Sequence, residues 1–318
     1  DQAMPPPWLT PSLLSNNLVD LPTPLFGRER ELETIQALLQ RPDVRIVTLT
    51  GTGGIGTTRL AIKVAATLLP QFTDGAYFVD LAPITDPSLV ATTVAQTLGV
   101  RESVPGKLLS SLKDALRDRH ILLVLDNFEQ VLPAAPNVSE LLDAAPRLKV
   151  LATSRAVLRL RGEQEYPVQG LALPHLKTAT ADVAARNPAV QLFVERARRA
   201  KPDFELTDAN ARAVAEICRR LDGIPLAIEL AAARIRLLPP QAMASRLERR
   251  LKVLTEGPQD APRRQQTLRG TIEWSYELLS EAGKALFRRL AVFVGGFTLA
   301  AAEAVTVDKA ETGPQPMD

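Results

Sequence analysis

Residues Gly51 to Thr58, in the stretch "TLTGTGGIGTTRLA" (48–61), have the types and spacing to hold phosphate. The phosphate-binding loop pattern is G-x-x-x-x-G-K-[ST]. Gly51 and Gly56 stand at the required distance and Thr58 fills the hydroxyl place, but Thr57 occupies the lysine position. In such a loop, backbone N–H groups and the following helix N-terminus cradle phosphate oxygens. Gly51, Gly53, Gly54 and Gly56 allow the close approach and positive φ this needs, and the Thr58 hydroxyl would sit on Mg²⁺. A ligand-free glycine turn between strand and helix is the competing reading. Two further residues bear on it. Asp126 follows the apolar run "ILLVL", where a phosphate-loop protein needs an acid for Mg²⁺; such an acid also serves as an ordinary strand-end or helix cap. Arg155 closes "LKVLATSR", where it could sense a γ-phosphate or be a plain surface arginine. Their order along the chain favours the nucleotide site.

The elements that would position these residues alternate. A helix is expected over Glu29–Gln40, a strand over 44–50, a helix through "TRLAIKVAATLL", a strand over 76–82, and helices from Asp86 to Gly99 and over 107–118. Strands at 121–126 and 148–155 flank a short helix in "SELLDAAP", and "EYPVQG" is a candidate fifth strand. This alternation implies an α/β fold, a parallel sheet with helices on both faces. Ligands of such sheets bind beyond the strands' carboxyl ends, where the glycine loop, Asp126 and Arg155 all fall. After Pro174 the pattern becomes helical. "NPAVQLFVERARRA" offers Asn187 as N-cap and Pro188 at the first helical position. The expected organisation is an extended leader (1–24), a nucleotide-binding domain (25–175), a helical domain (185–256), a polar linker, a partial winged-helix domain (266–306) and a loose tail (307–318).

The 318 residues carry 38 basic and 36 acidic side chains, a formal net charge of +2, which gives no bulk argument for nucleic acid or an acidic membrane. One cysteine, Cys218, excludes an internal disulfide framework and a multi-cysteine metal site. No long uncharged apolar run or signal segment is visible, so a cytoplasmic protein without membrane contact is expected.

The segments "LFGRERELETI", "TLTGTGGIGTTRLA", "LLVLDNFEQVL", "LKVLATSR", "ICRRLDGIPLAIELAAARIRLL" and "TLRGTIEWSYELL" occur in this order. Together, over residues 20–305, they resemble the STAND class of signalling P-loop NTPases, NB-ARC type, as found in bacterial transcriptional regulators. The resemblance implies a P-loop domain, a helical domain and a winged-helix domain closed around ADP, with ATP exchange opening the module for self-association. It implies that Arg28, with backbone from Phe26 and Gly27, contacts the adenine side, and that Pro225 packs on the adenine from the helical domain. The loop from Gly51 through Ile55, Thr57 and Arg59 would hold the phosphates, Thr58 and Asp126 the Mg²⁺, and Arg155 would be the sensor arginine. It also implies that effector and sensor domains, and the histidine that senses ADP, lie outside this chain; His120 and His175 read as structural. DNA would be reached only indirectly.

The chain departs from the family pattern in two chemical respects. Thr57 removes the charge that neutralises β/γ-phosphates; losing one positioned electrostatic donor costs about 10²–10³ in rate. ADP binding can survive on backbone amides. Arg59 and Lys63 are the nearby replacement candidates, though a helix lysine is ordinarily solvated. Asn127 stands where a second acid is expected, leaving Glu129 as the nearest general base, or else an exposed helix-start glutamate. Impaired hydrolysis is therefore expected. Two other functions remain open: a DNA-binding regulator using Arg263, Arg264, Arg269, Arg288 and Arg289, and an interaction scaffold with a dead nucleotide site.

Overall fold

The computed structural model describes residues 15–247, apart from 22, 103, 105 and 177–179, together with 267, 270, 272, 273, 276, 279, 281–293 and 297–306. The linker 256–266 and tail 307–318 lie outside the described residues, as do Pro5, Pro6, Pro7, Pro11 and Pro22 of the leader.

Five parallel strands form one sheet: β1 (Ile46–Thr50), β2 (Ala76–Asp80), β3 (Leu122–Asp126), β4 (Lys149–Ser154) and β5 (Glu163–Pro167). Their order is β2-β3-β4-β1-β5. Every residue of β1 and β3 is buried, as expected of central strands covered on both faces. The period of two sorts their side chains. Leu123, Leu125 and Val150 pack with Val94, Leu112 and Val138 on one face. Leu122, Val124 and Leu151 pack with Ile35, Leu60 and Val64 on the other. The first face is covered by α3 (Val90–Leu98), α4 (Leu108–Leu116) and α5 (Ala135–Ala144). The second is covered by α1 (Glu29–Gln40) and α2 (Thr57–Leu68).

Three elements start away from the pattern-based expectation: α3 begins at Val90, after a 3-10 turn over Pro87–Leu89, and α5 and β5 begin earlier than expected. α5 begins at Ala135 rather than Ser139, because Pro136 sits in its first turn, where a missing N–H costs nothing. β5 begins at Glu163, ahead of "EYPVQG". Its carboxylates hide it from an apolar-run search. Glu163 accepts a hydrogen bond from Thr48 Oγ1 (2.5 Å) and Glu165 from Thr50 Oγ1 (2.7 Å), so acids on this edge strand are paired by hydroxyls on β1.

The leader, where described, is extended and docked. Asn16 bridges Ala76, Ala76 N–H donates to Ser15 O (3.2 Å), and the Asn17 amide exchanges two hydrogen bonds with Phe78 (2.7 and 2.8 Å).

Helices α6 (Ala181–Ala184), α7 (Pro188–Ala200), α8 (Asp208–Arg220), α9 (Pro225–Ala233) and α10 (Pro240–Arg246) form the helical part. Asn187 caps α7 by accepting from Ala189 and Val190 N–H, and Thr207 caps α8 in a capping box with Asn210. The core holds Phe193, Val214, Ile217, Cys218, Ile228 and Leu230. Further on, α11 (Glu281–Leu290) and α12 (Leu299–Thr306) are described. Arg288 and Arg289 fall on α11, whereas Arg263, Arg264 and Arg269 lie outside the described residues. Among the described residues no helix is long and apolar enough to cross a membrane.

Cys218 is fully buried, and burial pushes its thiol pKa up to about 12. Since the thiolate is the reactive form, iodoacetamide at neutral pH is expected to leave the folded chain unmodified and to add one adduct in denaturant, read by intact mass. Native-state alkylation at the rate of a free cysteine would mean that the helical core opens readily.

Candidate functional site

The strand order gathers three loops at one edge. β4 lies between β1, which feeds the glycine loop, and β3, which ends in Asp126. Asp126 is 2% exposed. Its Oδ1 accepts hydrogen bonds from Thr58 Oγ1 (2.8 Å) and Thr153 Oγ1 (2.5 Å). Asn127, held left-handed at φ 61, donates its amide to Asp126 Oδ2 (2.7 Å). Thr58 and Asp126, 68 residues apart, therefore meet directly. Thr153 is a site residue that sequence reading missed. It lies next to Asp126 across the β3–β4 ladder and also accepts from Asn127 N–H (3.0 Å).

The glycine loop turns through Gly54 (φ 83) and Gly56 (φ 99). No side chain caps the N-terminus of α2, which leaves its first amides available to an anion. Beside the loop opens a cleft of about 150 Å³. Gly51, Gly53, Gly54, Gly56, Thr57 and Thr58 form one wall. The rest of the lining includes Arg59, Asn127, Glu129, Thr153, Arg155, Pro225, Leu226 and Glu229. The cleft is narrower than typical ligand pockets of about 300–1,000 Å³.

Its narrowness comes from the helical part leaning onto the loop. Leu226 N–H at the start of α9 donates to Gly54 O (3.2 Å). A β-carbon built on Gly54 would lie 2.9 Å from Leu226 Cβ, so glycine permits this approach as well as the positive φ. Pro225 opens α9 and lines both this cleft and a slot of about 30 Å³ that it shares with Leu25, Phe26, Ile55 and Leu192. Gly27, at φ 60, packs against Pro188 at the start of α7.

Arg28 is 4% exposed. Its guanidinium donates to Glu31 (2.6 Å) and to Ile55 O (3.1 Å), bracing the loop from behind while lining the slot. Glu129 is no exposed helix-start residue: it is largely buried and pairs with Arg155 at 3.3 Å. Arg59 donates to Thr23 O (3.0 Å) and Thr23 Oγ1 (2.5 Å) and lies 3.6 Å from Glu229. Lys63 is exposed and outside the cleft lining. Thr23, Arg196 and Glu229 were not legible as site residues, since they join the loop helix only through the fold. His120 stacks near Phe72, with centroids 4.8 Å apart, and its burial lowers the imidazole pKa.

The formal charges lining the cleft cancel, two arginines against two glutamates. Attraction for a polyphosphate then rests on amide dipoles and the start of α2. The donors Thr58 Oγ1 and Asp126 are hard oxygens suited to Mg²⁺, which takes one or two protein ligands plus phosphate oxygens and water. Among the described residues no group of three or more His, Cys, Asp or Glu could hold a metal by itself.

Residues 28–161 match the NB-ARC domain. A candidate HTH-type transcriptional regulator of Mycobacterium tuberculosis (strain ATCC 25618 / H37Rv), Rv0890c, is 47% identical over 262 residues, covering 82% of this chain and 28% of its own. This chain thus spans little more than a quarter of that relative. Protein Rv0894 of the same strain is 41% identical over 284 residues, covering 89% of this chain and 69% of its own. Among solved structures, the Walker-type ATPase paby2304 of Pyrococcus abyssi aligns with a TM-score of 0.54 at 14% identity, over 90% of this chain and 86% of that one. That likeness concerns the fold alone. With the glycine loop, the Thr58–Asp126 pair and the parallel sheet already in hand, these matches make the chain a member of the NB-ARC family.

Proposed function

We propose that this chain is the ADP/ATP-binding switch of a bacterial signalling or transcriptional regulator, with ATP hydrolysis impaired by Thr57. The observation that carries the reading is the Thr58–Asp126 hydrogen bond beneath a positive-φ glycine loop, the arrangement a phosphate-bound Mg²⁺ requires. Thr58 and Asp126 would hold the Mg²⁺, which neutralises phosphate charge when bound. Thr153 and Asn127 orient the Asp126 carboxylate. The amides of the loop and of α2 hold phosphate oxygens. Phe26, Ile55 and Pro225 line the slot on the adenine side, and Arg28 fixes the loop that forms its floor. Arg155 acts as the sensor arginine, with Glu129 as its resting counter-ion. Because Glu129 is engaged by Arg155, it is a poor base for water, which supports a slow switch. Contacts of Pro225 and Leu226 with the loop support nucleotide-controlled closure. Self-association in the open state and indirect action on DNA would belong to the longer proteins that carry this module, in the cytoplasm.

Calorimetric titration with ADP tests the proposal: micromolar binding is expected, and no binding below millimolar in a folded sample would sink it. Asp126→Asn keeps the hydroxyl contacts but removes the charge. Nucleotide affinity of this variant is expected to lose its Mg²⁺ dependence, giving about the same Kd in Mg²⁺ and in EDTA, where the native chain differs by about tenfold. An unchanged Mg²⁺ effect would remove Asp126 from the metal site.

A further inference from the structure

Two arginines line the cleft, and each faces a glutamate. Arg155 and Glu129 both belong to the sheet-bearing part. Arg59 and Glu229 do not: Arg59 lies in the first turn of α2 and Glu229 on α9 of the helical part. We propose that Arg59 is the cation standing in for the missing lysine beside a nucleotide polyphosphate, and that Glu229 is its exchangeable counter-ion, displaced when phosphate binds. The proposal rests on the nucleotide-binding reading above and adds a residue pair to it.

The geometry of the pair is that of a contact ready to exchange. Glu229 is gripped by Arg196, whose Nε and Nη2 donate to Oε1 at 3.1 and 2.8 Å. The same oxygen lies 3.6 Å from Arg59 Nη1, beyond hydrogen-bond length. Arg59 is anchored elsewhere, its Nη2 donating to Thr23. Its guanidinium thus has one fixed edge, and its Nη1 edge is only loosely matched. Both side chains are about 30% exposed, at 30% and 28%, so their attraction is screened less than on an open surface but still permits exchange. Burial lowers the Arg59 pKa and Glu229 opposes that fall; the guanidinium stays charged in either case.

The consequence is a coupling between ligand and domain contact. With the cleft empty, Glu229 ties α9 to α2 through Arg59. A di- or triphosphate offers the Nη1 edge of Arg59 a stronger, charge-assisted partner. Glu229 then keeps only Arg196, and the helical part loses one of its ties to the loop helix.

The test is a double-mutant cycle on ADP affinity by calorimetry, with Glu229→Gln, Arg59→Met and the pair, each in the native chain and in the Thr57→Lys background. Thermal melts check that each variant folds, and Arg59→Lys serves as a second variant if Arg59→Met does not. Glu229→Gln is expected to tighten ADP about tenfold, Arg59→Met to weaken it about tenfold, and the tightening to vanish when Arg59 is absent. Equal affinity of Glu229→Gln and the native chain overturns the proposal. So does a tightening that persists in Arg59→Met, since Glu229 would then act by general repulsion. Absence of ADP binding in every variant and in both backgrounds overturns the nucleotide reading itself, whereas binding without coupling overturns only this pair.

Discussion

Lysine at position 57 is expected to raise ATP affinity and hydrolysis together, by about 10²–10³-fold in rate. Thr57 begins α2 and lines the cleft among residues whose formal charges cancel. An incoming triphosphate there meets amide dipoles, the loop glycines and two arginines that each already face a glutamate. Thr57→Lys adds an uncompensated ammonium at the position from which this loop class reaches the β/γ-phosphates. Titration with ATP and a phosphate-release assay, both against the native chain, read the effect. ADP affinity should change less than ATP affinity, because the lysine acts mainly on the outer phosphates. If neither affinity nor hydrolysis moves, the cleft is not a working phosphate site and the scaffold reading gains.

Phe193→Ala is expected to cost about 3–5 kcal/mol of folding stability, the range for deleting a buried aromatic ring. Phe193 is fully buried on α7 and meets Phe204 edge-on, with centroids 6.1 Å apart at 66°. The lost ring leaves a cavity in the core that α7 shares with α8 and α9, whose buried members include Val214, Ile217 and Ile228. Val183, on α6 and 51% exposed, is the control: Val183→Ala should change stability by no more than about 0.5 kcal/mol. Urea unfolding followed by circular dichroism checks both. A change near 1 kcal/mol for Phe193→Ala would mean that the helical part repacks. The effect reaches the cleft, because Pro225 and Leu226, which narrow it, stand on a helix packed in the same core.

The parts of this molecule legible in its sequence are those coded locally. The glycine spacing, the apolar run before Asp126 and the Asn187–Pro188 helix start each fit within a few residues, and the fold places them as that chemistry requires. The fifth strand is legible in "EYPVQG" but not its start at Glu163, because what makes Glu163 and Glu165 acceptable in a strand is a pair of threonine hydroxyls 115 residues away in β1. Thr153 and Glu229 were invisible for the same reason. Their partners, Asp126 and Arg196, are 27 and 33 residues distant, and no periodicity signals such pairs. Arg28 shows the converse. Its motif was plain, but only the fold reveals that its guanidinium holds the Ile55 carbonyl.

The docked leader has a consequence for solubility. β2 is an edge of the sheet, and an uncovered edge is a template for pairing with other chains. Ser15 and Asn17 occupy the groups that β2 would otherwise present at Ala76 and Phe78. A β-carbon on Gly75 would lie 1.9 Å from Ser15 O, so the fit admits no bulk between them. These few residues thus act as a built-in terminator of edge-to-edge polymerisation. A chain trimmed to begin at Leu18 would keep Thr23, the anchor of Arg59, and gain a sticky rim.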